Sequence, residues 1–299
     1  MDRLDEWRIF VTVATLESFA QAARTLGRSP QAVTRAVAAL EARLKSRLLA
    51  RTTRSVSLTV EGERYLERGR RALAEMDALE TPIDERAPLR GGATITAPVL
   101  FGQLHVVPIV LELLKKEPDV DVRLRLVDRI VALADEGIDV GVRIGVLADS
   151  SLRAQKVGEV HAVTVASPAY VERAGRPRSP EELADHTCIA FAGTTPTADR
   201  WSFRRAAASS RERKVSVRAR LSVNTGQAAI DAALAGLGIA RLLSYQVDDL
   251  VAAGKLVVLL KSFEPEPVPV HVVQLAGVSS RAATAFVELA VARLRARLR

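Results

Sequence analysis

Leu4, Trp7, Ile9, Phe10, Val13 and Leu16 recur near helical spacing, which predicts an amphipathic helix over residues 3–15 with one buried face. Ser18 follows as a good N-cap for a short helix ending near Leu26, with Phe19, Ala22, Ala23 and Leu26 as its apolar stripe and Gly27 as its stop. Ser29 can cap a third helix whose first position is Pro30, where a missing N–H costs nothing. Val33, Val37, Leu40 and Leu44 mark its inner side, so Gln31, Ala32, Thr34 and Arg35 face outward near its start. Two helices joined by a tight turn, the second presenting polar and Arg side chains, are the helix-turn-helix arrangement that enters a DNA major groove. Leu48, Leu49, Val56 and Leu58 then predict two short strands around a basic tip, Arg51-Thr52-Thr53-Arg54, which reads as a wing.

Thr59 can cap the next helix, along which Gly62, Tyr65, Leu66, Gly69, Ala72, Leu73, Met76 and Leu79 continue every three or four residues. The stripe is narrow, between Arg64, Glu67, Arg68, Arg70 and Arg71, and it favours pairing with a second copy through Tyr65, Leu66, Leu73, Met76 and Leu79 over a single helix packed on its own domain. A dimer places two recognition helices on half-sites roughly 34 Å or more apart. Pro82 stops or kinks this helix, and residues 82–92 read as a hinge.

Beyond the hinge the pattern alternates. Strands are expected at 94–97, 120–127 and 138–142, with helices at 102–116 and 130–135. A second series has strands at 160–166, 188–191, around 201–204 and 214–223, and at 239–241, with helices at 168–174, from Pro180, and at 225–235. It ends near residues 255–260, and a strand at 268–273 and a helix at 280–298 close the chain. This is an α/β pattern. Gly236-Leu237-Gly238 follows a helix and precedes a strand, the reverse of a dinucleotide fingerprint, and reads as a helix stop.

Charge sharpens the first part of the picture. The formal net charge is +8 over 299 residues, and from Arg24 to Arg54 eight basic residues (Arg24, Arg28, Arg35, Arg43, Lys45, Arg47, Arg51, Arg54) face one acid, Glu41. Such density suits phosphate binding. One cysteine, Cys188, excludes an internal disulfide framework and reads as a strand-core thiol, and four histidines in unrelated patterns argue against a zinc site. Neither Gly-x-Ser-x-Gly nor His-Glu-x-x-His occurs, so no catalytic residue, metal or cofactor is expected. The charged opening, Met1-Asp2-Arg3-Leu4-Asp5-Glu6-Trp7, and the lack of a long apolar run predict no export or membrane span, and hence a cytoplasmic protein.

The run Ser18-Phe19-Ala20-Gln21-Ala22-Ala23-Arg24-Thr25-Leu26-Gly27-Arg28-Ser29-Pro30-Gln31-Ala32-Val33-Thr34-Arg35, with Leu40-Glu41-Ala42-Arg43-Leu44 and Arg51-Thr52-Thr53-Arg54, resembles the N-terminal region of LysR-type transcriptional regulators. The resemblance is specific over residues 1–65, recognisable over 91–145 and 160–190, and loose over 192–222. It implies an α/β protein with an N-terminal all-α winged helix-turn-helix and a two-lobed periplasmic-binding-protein-like C-terminal domain. The domains expected are 1–58 for DNA binding, 59–90 for the dimerisation helix and hinge, and 91–299 for effector binding, with lobe I at 91–159 and 266–299 and lobe II at 160–265.

Carried over by position, Ser29 and Pro30 start the recognition helix, and Gln31, Thr34 and Arg35 face base edges or adjacent phosphates. Arg51, Thr53 and Arg54 approach backbone or minor groove. Lys45-Ser46 stands where relatives commonly have a glycine-containing turn.

Ligands of open α/β sheets bind beyond the carboxyl ends of strands, near helix N-termini. That rule selects Pro98, Val99, Leu100 and Phe101 after the first strand, Asp128 and Arg129 after the second, Arg143 after the third, and Asn224 and Thr225 at a helix start. Relatives often carry a hydroxyl after the first strand, whereas Pro98-Val99-Leu100 offers none, so a small carboxylate is not assured, and the apolar loop suits an aromatic or hydrophobic compound. The expected function is sequence-specific transcriptional regulation by a small-molecule effector. The expected partners are promoter or operator DNA, that effector, further copies in a homodimer or homotetramer, and RNA polymerase. An architectural DNA-binding protein with a ligand-blind second domain, and a solute-binding or catalytic module with an accessory basic domain, remain as alternatives.

Overall fold

The chain opens with three helices, α1 (Arg3–Leu16), α2 (Phe19–Thr25) and α3 (Pro30–Leu44), then a two-stranded wing, β1 (Leu49–Arg51) and β2 (Val56–Leu58), and a long helix, α4 (Val60–Glu80). The computed structural model describes residues 2–51, 56–80, 88–147, 152–192, 199–204, 212–276 and 280–298. It divides into two units, Met1–Gly91 with Ala132–Ile138, and Gly92–Val131 with Asp139–Arg299.

In the first unit the apolar stripes predicted from spacing meet in one core. Ile9, Phe10, Val13, Val33, Val37, Leu40 and Leu48 have no exposed surface. Each such side chain contributes about 1.5–3 kcal/mol by leaving water. The boundaries follow local chemistry: the Ser18 hydroxyl accepts from Gln21 N (3.2 Å), and that of Ser29 accepts from Ala32 N (3.2 Å). Gly27 takes a left-handed φ of 62° between α2 and α3. Lys45 ends α3 at φ 50°, performing the turn that relatives give to glycine.

The wing pairs Leu49 with Leu58 and Arg51 with Val56 in antiparallel register. It is tied to α3 because a Glu41 carboxylate oxygen accepts from Leu48 N (2.8 Å) and Leu49 N (3.1 Å). Thr59 caps α4 as expected, accepting from Gly62 N (2.9 Å) while its hydroxyl donates to Arg47 O (2.7 Å).

The second unit contains β3 (Gly91–Ala97), α5 (Val99–Phe101), a π-helical turn at Gly102–Val106, α6 (Val107–Lys116), β4 (Val120–Leu126), β5 (Val140–Ile144), β6 (Leu152–Val160) and β7 (Ala162–Ala166). Next come α7 (Pro168–Ala174), a 3-10 turn at Pro180–Asp185, β8 (Cys188–Phe191), β9 (Arg200–Arg204), β10 (Glu212–Ser216), β11 (Ala219–Val223), α8 (Gly226–Leu234), β12 (Ile239–Leu243) and α9 (Ser244–Ala252). Finally there are β13 (Val257–Leu259), a 3-10 turn at Lys261–Phe263, β14 (Val268–Leu275) and α10 (Arg281–Arg297). One five-stranded sheet has the order β4-β3-β5-β14-β6, the other β11-β8-β12-β7-β13. The late strand β14 pairs antiparallel with β5 and β6, so the chain leaves the first sheet and returns to it.

Three expectations need correction. Residues 130–135 form no helix: the segment is too short to nucleate one, and a turn at 133–137 buries Val131 and Leu133 instead. The strand expected at 160–166 is two, β6 and β7, separated at His161, and α9 was not foreseen.

A Cβ on Gly62 would lie 2.0 Å from the backbone oxygen of Leu48. Gly62→Ala is therefore expected to destabilise the first unit by about 2–3 kcal/mol through forced backbone movement, measurable as a lowered midpoint in urea unfolding followed by circular dichroism.

Candidate functional site

Burial of Val33, Ala36, Val37 and Leu40 leaves Gln31 and Arg35 exposed and Thr34 half-exposed on the opposite side of α3. With Ser29 and Pro30 they line one shallow, open recess. Among the described residues Arg24, Arg35, Lys45 and Arg47 have no carboxylate partner. Arg28 and Arg43 do: Arg28 pairs with Asp5 (2.9 Å) and Arg43 with the buried Glu6. Those two cations hold α2 and α3 to α1, which the charge count alone did not distinguish from phosphate-binding ones. Arg51 lies in β1, but its side chain, like Thr53 and Arg54 entirely, is outside the described residues.

The α4 seam is partly used within its own chain. Leu66 belongs to the core of the first unit, and Tyr65 packs on it, its ring 6.0 Å from that of Trp7. Spacing had assigned both to a partner. They fill intramolecular space because α1 leaves an apolar groove beside α4. Leu73 is also buried and Met76 half-buried, while the side chain of Leu79 lies outside the described residues.

In the second unit the expected effector residues cluster where β3 meets α5. Val99 N donates to Asp128 Oδ1 (2.9 Å), fixing the loop after β4 against the start of α5. Pro98 precedes that helix, and Leu100 packs against the core of the second sheet. Thr225, the N-cap of α8, accepts from Ala228 N (3.4 Å); Asn224 is exposed beside it. Arg143 turns its guanidinium to the Val131 carbonyl. Phe101 is fully buried, its ring 4.6 Å from His105 and 5.1 Å from Tyr245.

Sequence reasoning missed His105, Tyr245 and Gln246. His105 lies four residues beyond Phe101, on the same helical face, and that spacing was its one available signal. It sits in a π-helical turn, a distortion found frequently at functional sites. Burial, and secondarily the charge of Arg297, hold its pKa down at about 4. Burial also pushes the Cys188 thiol up to about 12, so it has almost no thiolate near neutrality. Among the described residues no cluster has the makings of a metal site, and no helix is long and apolar enough to cross a membrane.

A winged helix-turn-helix with a free polar face on its second helix, followed by two α/β sheets joined by a returning strand, defines a ligand-responsive DNA-binding regulator. Residues 4–63 match the family "Bacterial regulatory helix-turn-helix protein, lysR family", and residues 86–295 match "LysR substrate binding domain". The chain belongs to the LysR family of transcriptional regulators. An uncharacterised HTH-type transcriptional regulator of Haemophilus influenzae is 30% identical over 91% of this chain and 94% of that protein. The HTH-type transcriptional regulator CrgA of Neisseria meningitidis serogroup C is 33% identical over 86% of this chain and 84% of its own. A solved structure of CrgA from Neisseria meningitidis, 29% identical, covers 97% of this chain and 98% of that one with a TM-score of 0.61. The function of this chain is accordingly DNA-binding transcriptional regulation with an effector-binding domain.

Unfolded imidazole titrates near 6.5 and that of His105 near 4. Between these values the unfolded chain binds more protons, so stability falls as pH drops through the window. Thermal unfolding at a series of pH values should show a steeper acid decline for the unsubstituted protein than for His105→Leu.

Proposed function

We propose that residues 1–58 bind operator DNA, 59–90 pair two copies, and 91–299 bind the effector, with lobe I at 91–159 and 266–299 and lobe II at 160–265. Gln31, Thr34 and Arg35 meet base edges or adjacent phosphates, Ser29 and Pro30 set the start of that helix, and Arg51, Thr53 and Arg54 follow the backbone or minor groove. The observation that carries this reading is the outward face of α3, where a charged side chain without a partner stands beside two polar ones at the capped start of a helix.

Pairing runs through α4, by the part of the seam that Tyr65 and Leu66 do not use within their own chain. Met76 and Leu79 remain for it beside Leu73, which is already buried within its own chain, in a dimer or in a tetramer built from two. The effector enters between Pro98–Phe101, Asp128 and Arg143 on one side and Asn224 and Thr225 on the other. Occupancy alters operator affinity or bend, and with it the access of RNA polymerase, in the cytoplasm where the chromosome lies. No step is catalytic.

The test is binding to DNA from the protein's own promoter region, by footprinting and salt titration. Arg35→Ala should cost about 1–3 kcal/mol, confined to particular base positions if Arg35 reads a base, or uniform with a salt slope smaller by about 1 if it grips phosphate. Unchanged affinity removes Arg35 from the interface. A monomer that ignores this DNA at low salt overturns the reading.

A further inference from the structure

Three features of the cleft bear on what it takes. Asp128 is a half-buried carboxylate that accepts from Val99 N; among the described residues no ion pair is seen at it, and Arg143 is turned to the Val131 carbonyl. The start of α8, where backbone N–H groups would draw an anion, is capped by the Thr225 hydroxyl and packed by Leu100 and the Gln246 side chain. A Cβ on Gly226 would stand 2.9 Å from Leu100 Cδ1 and 2.7 Å from Gln246 Nε2. Third, Phe101 and Tyr245 make an edge-to-face aromatic pair beside His105, whose two ring nitrogens are buried with no hydrogen-bond partner.

A carboxylate effector would meet an unneutralised carboxylate and a helix start crowded by Leu100, whereas a cation with an apolar body meets an anion and aromatic rings. We propose that the effector is a small molecule bearing a protonated amine on an aromatic or apolar body, its ammonium on Asp128 and its body against Phe101 and Tyr245, in space vacated by Leu100. This rests on the reading of the cleft as the effector site. The Val99 N bond holds Asp128 against the start of the helix that carries Phe101, the ring paired with Tyr245; burial chiefly, and the Asp128 charge secondarily, raise the Tyr245 phenol's pKa. Neutral His105 adds a nitrogen lone pair for a donor on the ligand.

The test uses the full-length protein and three probes of one shape: 2-phenylethylamine, 2-phenylethanol and phenylacetate. Calorimetric titration and thermal unfolding should show the amine binding and raising Tm, with the alcohol weaker by about tenfold or more and the carboxylate silent. Asp128→Asn, which keeps the acceptor for Val99 N, should reduce amine binding to the level of the alcohol. Leu100→Ala, which removes the side chain to be displaced, should tighten it.

Phenylacetate binding as well as the amine, equal amine binding by Asp128→Asn, or no amine binding by either the unsubstituted or the Leu100→Ala protein overturns the proposal. The probe comparison in the unsubstituted protein decides the matter even where Asp128→Asn does not fold. Phenylacetate binding that changes in Leu100→Ala would overturn the amine class while leaving the cleft as the effector site. Binding of any probe that is indifferent to Leu100 would count against the cleft itself.

Discussion

The DNA-facing half of this protein depends on one constraint, the burial of the Val33, Ala36, Val37 and Leu40 stripe of α3 against the core that α1 shares. A helix has one rotational setting that satisfies such a stripe, and that setting turns Gln31, Thr34 and Arg35 outward together. The burial is worth several kcal/mol, far more than any contact those three make in the free protein. Their orientation is thus fixed in the free protein, and on the proposed reading of these residues as DNA contacts that lowers the entropic cost of binding. The ion pairs around the stripe are secondary. Arg28 is exposed and Asp5 partly so, and their pair adds little, whereas Glu6 is buried, so removing Arg43 would strand a charge.

Glu41 carries the same setting into the wing. Its carboxylate accepts two consecutive backbone amides, at Leu48 and Leu49, so the strand leaving α3 is aimed by a side chain on the helix it leaves. In the count of charges Glu41 was merely the one acid in a basic stretch. It is better understood as the acceptor that gives two otherwise unpaired amides a partner, with a charge-assisted bond at each.

What could be read from the sequence follows from the range of the interactions that decide it. The helix starts at Ser18, Ser29 and Thr59 and the stop at Gly27 are settled within four residues, and these were legible, as was the class of the second unit from its alternating pattern. Residues 130–135 show the limit. Their apolar spacing suits a helix, but Val131 and Leu133 gain the same burial in a turn without paying for nucleation. Arg143 was selected because it follows the end of a strand, and only the tertiary path reveals that its guanidinium is engaged by the Val131 carbonyl. Tyr65 and Leu66 carry a similar lesson, since an apolar seam on a helix does not say whether its complement lies in the same chain or another.

The cleft was the least legible part, because it is assembled from segments at 98–101, 128, 225–226 and 245–246 that only the fold brings together. Its energetics are nevertheless simple. Leu100 rests against the core of the second sheet, and burying a leucine is worth about 1.5–3 kcal/mol. The coupling an allosteric regulator needs is about 1–3 kcal/mol. The two are of one size, so on the proposed reading of the cleft a ligand that displaces this single side chain exchanges free energy on the scale that such coupling needs. A fuller plug, such as a buried aromatic ring, would hold the cleft against ligands of ordinary affinity, and an alanine would leave little difference between the states for a ligand to act on.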